Sequence, residues 1–400
     1  MAKGKGGFIG QDGLNAPDEP TSVSATAGDA QATVSFTAPS DVGGSAITGY
    51  RAQSNDGIGA SGSSSPITVT GLTNGTSYTF NVWAINAFGY SAPSDASASV
   101  SPAEVRGLIG GGYTGSFIDV IQYVSISTTG NAQDFGDLHT QLHSAAACAS
   151  STRGVFSGGS CFDEHDGPGT GTGYTNRIQY VTIASTGNST DFGNLYDRMI
   201  QHSGAGNSTR GIFFGGSDNT SGSTNVIQYI TIASTGDATD FGDLSSNRPG
   251  PGALASPTRA VSTGGFYANV MEYVTISSTG NATDFGDLTV TAHFPASCSS
   301  STRGIIGGGF GRENVLDYIT IASTGNATDF GDLTANRMDL ASFSSNTRGV
   351  WAGGGPSAGG QSNVIDYVTI SSTGNASDFG DLLSATDQVA GCSSGHGGLQ

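Results

Sequence analysis

From residue 106 onward the apolar and polar positions of the chain recur in one fixed order, six times over. Tyr-(Val/Ile)-(Ser/Thr)-Ile leads to Thr-Gly and then to Asp-Phe-Gly-(Asp/Asn)-Leu, with the opening tyrosine at Tyr123, Tyr180, Tyr229, Tyr273, Tyr318 and Tyr367. The aspartate follows its tyrosine by 11 residues every time, at Asp134, Asp191, Asp240, Asp284, Asp329 and Asp378. From each of the first five aspartates the next anchor arginine (Arg153, Arg210, Arg259, Arg303, Arg348) stands 19 residues on, and Arg106 heads the series. A Gly-Gly pair follows every one of these arginines after five and six residues. One interval alone varies, arginine to tyrosine, at 17, 27, 19, 14, 15 and 19 residues. Each unit therefore keeps a fixed frame and frees one loop.

Within a unit the pattern predicts four short strands. The stretch Ala292 to Ser299 is small and weakly apolar, Gly304 to Gly308 is an apolar run stopped by glycines, and Val315 to Ala322 is the strongest strand. Asp329 to Leu333 is the fourth, entered through a Ser-Thr-Gly-Asn turn whose glycine and asparagine tolerate positive φ. One such sheet has two faces to bury and no partner of its own, so neighbouring sheets must stack. Adding 19 to Asp378 gives 397, so a final first strand, about Val389 to Ser394, is expected to complete the unit that begins at Arg106. The predicted fold is all-β, with six such sheets arranged radially as a six-bladed propeller closed by that strand.

Ahead of the repeats, residues 18–103 alternate apolar and polar between glycine, proline and asparagine turns, with strands at Ala32 to Phe36, Ile47 to Ser54, Ile67 to Val69, Tyr78 to Ile85 and near Ala96 to Val100. That spacing predicts a β-sandwich with Phe36, Tyr50, Leu72 and Val82 in its core. Residues 1–17 hold no periodic pattern and are expected to be a flexible tail or a peptide that anchors to an assembly.

Composition narrows the function. Glycine is 64 of 400 residues and charged residues are 12 %, a mixture poor for helices. Against 32 acidic residues stand 14 basic ones, and the lysines are Lys3 and Lys5 alone. Nucleic acid and anionic membranes are poor partners for such a chain, because both are held by clustered cations. The N-terminus lacks the apolar core of a secretory signal, so assembly in a cytoplasm is expected.

Two resemblances can be added at this point. Gly-Leu-Thr-Asn-Gly-Thr-Ser-Tyr (Gly71 to Tyr78) resembles a fibronectin type III domain of the bacterial and phage kind, in which the pair matched by Leu72 and Tyr78 locks a crossing connection. Residues 106–400, with a Gly-Gly pair ending the second strand and a tyrosine in the third, resemble kelch-type propellers, though phenylalanine stands where that family has tryptophan. The module order and near-identical repeats are similar to virion proteins of tailed bacteriophages. That similarity implies a tail, fibre or capsid appendage, held to other virion proteins through the tail and sandwich and oligomeric within the particle. The propeller would present loops to host-surface glycan or protein, and the chain would reside in the virion.

No catalytic constellation stands out. Asp-Phe-Gly occurs six times without the other parts of a kinase, and is read as a turn in which Asp caps amides and Phe fills the space between sheets. The six anchor arginines are expected to pair with aspartates of their own or a neighbouring unit, an anion-binding ring being the alternative. Cys148, Cys298 and Cys392 share one apolar slot in the first strand, filled elsewhere by Ala205, Leu254 and Phe343, and are expected as buried free thiols in non-adjacent units. Asp163, Glu164, His165 and Asp166 sit in the longest variable loop, but consecutive loop residues seldom converge on one ion, so neither a metal nor another cofactor is expected. His139, His143, His202 and His293 fall between a fourth strand and the next first strand. Candidate ligand contacts on the loop face are Tyr113, Phe117, Phe162, Tyr174, Tyr196, Arg198, Arg248, Phe266, Tyr267, Phe294, Phe310 and Arg337. Aromatics interleaved with Asp, Asn and Arg suit sugar rings and hydroxyls. The competing expectations are a polysaccharide-degrading propeller enzyme, which would need a carboxylate pair in the central pocket, and an architectural cement protein without ligand.

Overall fold

A computed structural model of the chain describes residues 15–161, 173–218, 222–311, 314–356 and 358–399, and divides between Glu104 and Val105 into two units. Both are all-β; the single helical element among the described residues is a 3-10 turn at Gly397–Leu399. Among the described residues no helix is long and apolar enough to cross a membrane.

The N-terminal unit is a sandwich of two antiparallel sheets. One runs Thr21–Gly28, Gln31–Thr37, Ile67–Thr70, the other Gly59–Gly62, Gly49–Ser54, Phe80–Asn86, Gly89–Tyr90. Alternation along Gln31–Thr37 and Phe80–Asn86 sends Ala32, Val34 and Phe36 toward Phe80, Val82 and Ala84, and Tyr50, Leu72 and Tyr78 complete the core. The Tyr78 hydroxyl accepts from the Thr73 amide at 3.0 Å, so the crossing connection is pinned from within the core. Residues 1–14, most of the expected tail, lie outside the described residues. At its end Asn15 is docked on the sandwich, its carbonyl accepting from Gly44 N–H and the Asn86 amide, each at 2.9 Å.

One expected strand is replaced by something else. Ala96 to Val100 is not a strand but the end of a segment whose serines recur every third residue. Ser91, Ser94 and Ser97 donate their amides to the carbonyls of Ala84, Val82 and Phe80. Their hydroxyl oxygens accept from the amides of the same three residues at 2.9 to 3.0 Å. A side-chain oxygen thus substitutes for a main-chain carbonyl, so the segment pairs without the two-residue period of a strand.

The second unit holds six four-stranded antiparallel sheets. Arg153–Ser157 lies between Ala146–Ala149 and Arg177–Thr182, with Thr190–Asn194 outermost, and the next four sheets repeat that order. In the remaining sheet Ala390–Ser393 pairs with Arg106–Gly110, so the last strand of the chain sits beside the first strand of the repeats. Three sets of contacts bind each sheet to its neighbour, and each set returns from the last sheet to the first.

The first set is a main-chain clasp at the Asp-Phe-Gly bulge. Gly187 N–H donates to Phe135 C=O at 2.7 Å, the same bond recurs from Gly236, Gly280, Gly325 and Gly374 to the phenylalanine before, and Gly130 N–H closes on Phe379 C=O at 2.8 Å. Gly136 has φ of 144° and its Cβ would stand 2.5 Å from Gly187 O, so only glycine admits the clasp. The bulge turns Phe135 inward, edge-on to Tyr123 at 5.9 Å and packed with Phe156 and Val181 of the next sheet. Amide capping, expected of the Asp, falls instead to the turn, where Asn188 Oδ1 accepts from Asp137 N–H at 3.1 Å.

The second set corrects the expectation for the arginines. Each guanidinium lies over the tyrosine ring of its own sheet, at 4.5 to 4.9 Å, and donates to a main-chain carbonyl of the next: Arg153 to Ile232 at 2.9 Å, Arg348 back to Ile126 at 3.0 Å. Such stacking is worth roughly 0.5 to 1 kcal/mol at a partly exposed site, and the carbonyl, not an aspartate, is the partner repeated in all six.

The third set lies in the first strands. Cys148 packs on Gly211, Leu254 on Gly304, Cys298 on Gly349, Phe343 on Gly107 and Cys392 on Gly154, each in the sheet that follows. The smallest slot residue, Ala205, meets the one place where that glycine is replaced, Ala260. All four cysteines are buried free thiols. The expectation of non-adjacent units fails for one pair, because Cys392 belongs to the sheet of Arg106 and so neighbours the sheet of Cys148. Burial holds Cys148 far above the usual thiol range, with Cys392 adding to the effect, and pushes Cys392 up to about 12.

Candidate functional site

The six first strands surround a cavity of about 160 Å³. Its walls are small residues, among them Ala147, Gly204, Ala253, Ser297, Ser342 and Gly391. At one end the C-terminal turn fills the bore. His396 is half-buried with Nε2 2.8 Å from Ala149 O, and a Cβ on Gly397 or Gly398 would collide with Ser300 or Gly206.

The other end is framed by one residue from each unit, Ser144, Gln201, Gly250, Phe294 and Asp339 each nine positions before an anchor arginine and Gln388 nine before Gly397. All six have positive φ, between 55° and 65°, a conformation costing roughly 1 kcal/mol or more for each residue that is not glycine. Main-chain bonds link them in sequence: Gln201 to Ser144, Gly250 to Gln201, Phe294 to Gly250, Gln388 to Asp339 and Ser144 to Gln388, at 2.7 to 3.0 Å. Among the described residues Asp339 is the one acidic side chain lining this mouth, and its pKa is raised to about 7 by burial, with the Asp387 charge adding to it. Asp387 itself is raised, mainly by burial.

Beside the mouth an aromatic group climbs to the surface. Phe294 stacks on His293 at 3.8 Å, His293 is 5.0 Å from Tyr267, and Tyr267 meets Phe310 edge-on at 5.5 Å with Phe266 at 6.2 Å. Phe266 and Tyr267 follow a Gly-Gly pair in positive φ, 47° and 59°, which holds both rings outward, 63 % and 50 % exposed. Phe310 is fixed by two main-chain bonds with His293. Burial lowers the His293 pKa, so this histidine is neutral at pH 7.

Four of the twelve face candidates, Phe266, Tyr267, Phe294 and Phe310, therefore stand together. Tyr196 is exposed on its own at 74 %, Tyr174 and Arg198 are half-buried elsewhere, and Phe162 lies outside the described residues, as do Asp163, Glu164, His165 and Asp166. Three candidates are withdrawn from solvent. Phe117 is buried against His143 at 4.3 Å, with Tyr113 6.2 Å from it. Arg248 and Arg337 are buried in ion pairs, Arg248 to Glu272 at 2.7 Å and Arg337 to Asp366. Burial lowers both guanidinium pKa values and the paired acids oppose that shift.

Those acids occupy a slot that pattern reading passed over. The residue before each anchor tyrosine, Gln122, Gln179, Gln228, Glu272, Asp317 or Asp366, is buried and accepts from a main-chain amide of the preceding sheet, as Gln179 does from His139 at 2.8 Å. A polar residue at one constant place in an apolar strand was the available signal. The mouth residues share no chemistry, so nothing in their side chains marks them. Among the described residues no three His, Cys, Asp or Glu side chains converge as a metal site.

A search of curated proteins finds no match to this chain. Residues 18–100 match the fibronectin type III domain, and the sandwich is that domain.

Proposed function

We propose that the repeat unit is a six-bladed β-propeller of the kelch kind, and that the chain is a non-enzymatic structural and adhesion protein of a tailed-bacteriophage virion. The tail and fibronectin type III domain attach to the particle, and the loop face takes a host-surface glycan. The return of all three inter-sheet contacts to the first sheet supports the propeller reading. One observation carries the adhesion reading: Phe266, Tyr267 and Phe310 form an exposed aromatic surface, the first two held there by left-handed backbone. Aromatic rings left in water at a conformational cost are a feature of binding sites, and sugars stack on such faces.

The test uses the full chain on immobilised host-surface polysaccharides. Retention without release of reducing ends is expected, with about tenfold weaker retention for a Phe266→Ala/Tyr267→Ala variant. Release of reducing ends would establish an enzyme, and no retention a cement protein. Mass spectrometry of purified particles checks the virion assignment, which fails if the chain is absent.

A further inference from the structure

The cavity mouth holds a carboxylate that the protein does not answer. The Asp339 side chain forms no hydrogen bond or ion pair with the described residues, and the charge that acts on it is a second acid, Asp387. Arg337, two residues away, is spent elsewhere, donating to Asp366 and to the carbonyls of Gly353 and Val364. The repeats contain no lysine at all. In the wall below, Nδ1 of His202 and Oγ of Ser203 are also buried without partners among the described residues. A half-buried acid left uncompensated carries a desolvation cost, and its placement on a cavity at strained φ points to a ligand that supplies the missing charge.

The structure also says what kind of cation. A metal ion would want more oxygen ligands than the described residues of this mouth offer, since no three acidic or metal-binding side chains meet among them. The cavity has room for the order of five water molecules, enough for one small substituted group. Phe294 belongs both to the mouth and to the aromatic group, so stacking rings lead from the surface to the residue beside Asp339 in the frame.

We infer that the glycan taken by this face carries an unsubstituted amine, and that its ammonium is received by Asp339 at the cavity mouth. The inference rests on the adhesion reading and gives it a substrate class, amino sugars that are not N-acetylated.

The experiment measures binding of the full chain to glucosamine oligomers and to the same oligomers fully N-acetylated, by calorimetry at pH 7. The free-amine oligomer is expected to bind about tenfold more tightly, as befits one charge-assisted contact. Asp339→Asn, whose asparagine tolerates the same left-handed backbone, is expected to erase that difference while remaining folded by thermal melting. Equal affinity for both oligomers, or a difference that survives in Asp339→Asn, overturns the assignment. Should neither oligomer bind while another polysaccharide is retained through Phe266 and Tyr267, the amine assignment falls and adhesion stands. If no glycan is retained at all, both fall.

Discussion

The two units solve the problem of burying a sheet in opposite ways. The fibronectin type III domain has one core, closed by its own two sheets, with Val34, Val82 and Leu72 meeting inside it. In the repeats no sheet owns a core: Phe135 is buried by the next sheet's Phe156 and Val181, Phe192 by Phe213 and Ile230, and so around to Phe379 against Val124 and Ile126. The first unit can lose a neighbour and keep its interior, whereas each repeat exists by virtue of two others. Stability in the sandwich is local, and in the repeats it is shared.

The largest expected effect removes the shared closure. Deleting residues 389–400 takes away the partner of Arg106–Gly110 and the side chains at Cys392 and Val389; calorimetry should then show the repeat transition lost or broken into stages and the sandwich transition unchanged. A single truncation of an inter-sheet ring comes next. Phe192→Ala is expected to cost about 3 to 5 kcal/mol, read as a lowered denaturant midpoint of the repeat transition alone. Equal lowering of both transitions would erase the contrast drawn above.

His202 and Asp339 should pull the pH dependence of the repeats in opposite directions. Burial pushes the His202 pKa down to about 3, so the neutral ring stabilises the fold above its unfolded value near 6.5 and that contribution is lost as pH falls below it. Asp339, raised to about 7, works in reverse: its contribution is present at low pH and is lost as pH rises from the unfolded value of 3.8 through 7. The two windows overlap with opposite slopes, so melting curves between about pH 4 and pH 6.5 should leave the repeats nearly level, and Asp339→Asn should turn that stretch into a stability that rises with pH.

A finer test uses the first-strand slots. Ala205→Phe should destabilise the repeats by about 1 to 3 kcal/mol because its ring meets the Ala260 methyl, and adding Ala260→Gly should restore most of the loss in a double-mutant cycle. The smallest effect belongs to the sandwich. Tyr78→Phe removes the acceptor of Thr73 N–H and should lower that transition by about 0.5 to 1.5 kcal/mol, leaving the repeats untouched.

Much of this was visible in the residues, wherever a side chain's chemistry is what the fold uses. The strand Val315–Thr320 is β-branched and apolar, and the tyrosine, phenylalanine and glycine of each unit declare themselves by interval. What stayed hidden depends on main-chain shape. Thr21–Gly28 buries none of its eight residues fully, so it has no strong alternation to read. Ser91, Ser94 and Ser97 look like a polar linker until their hydroxyls are seen taking the place of carbonyls. The arginines were misassigned because charge suggests an acid, while the space over Tyr180 offers a ring face and the next sheet a carbonyl. At the loop face, aromatic identity led to Phe266, Tyr267, Phe294 and Phe310. Length and polarity could not reveal that Arg248 and Arg337 turn inward, or that Asp339 stands on the cavity.

The pairing of each first-strand slot with the residue that opens the second strand of the next sheet singles out one junction among the six. A bulky Leu254 tolerates only a neighbour that opens with glycine, and Ala260 tolerates only a neighbour as slight as Ala205. Separating the unit of Ala205 from the unit of Ala260 would bring mismatched shapes together, whereas units that carry a cysteine in the slot and open with glycine could trade places without a mismatch. Near-copies though they are, two of the six are keyed to each other, and any duplication or loss of one of these two must carry its neighbour's fit along with it.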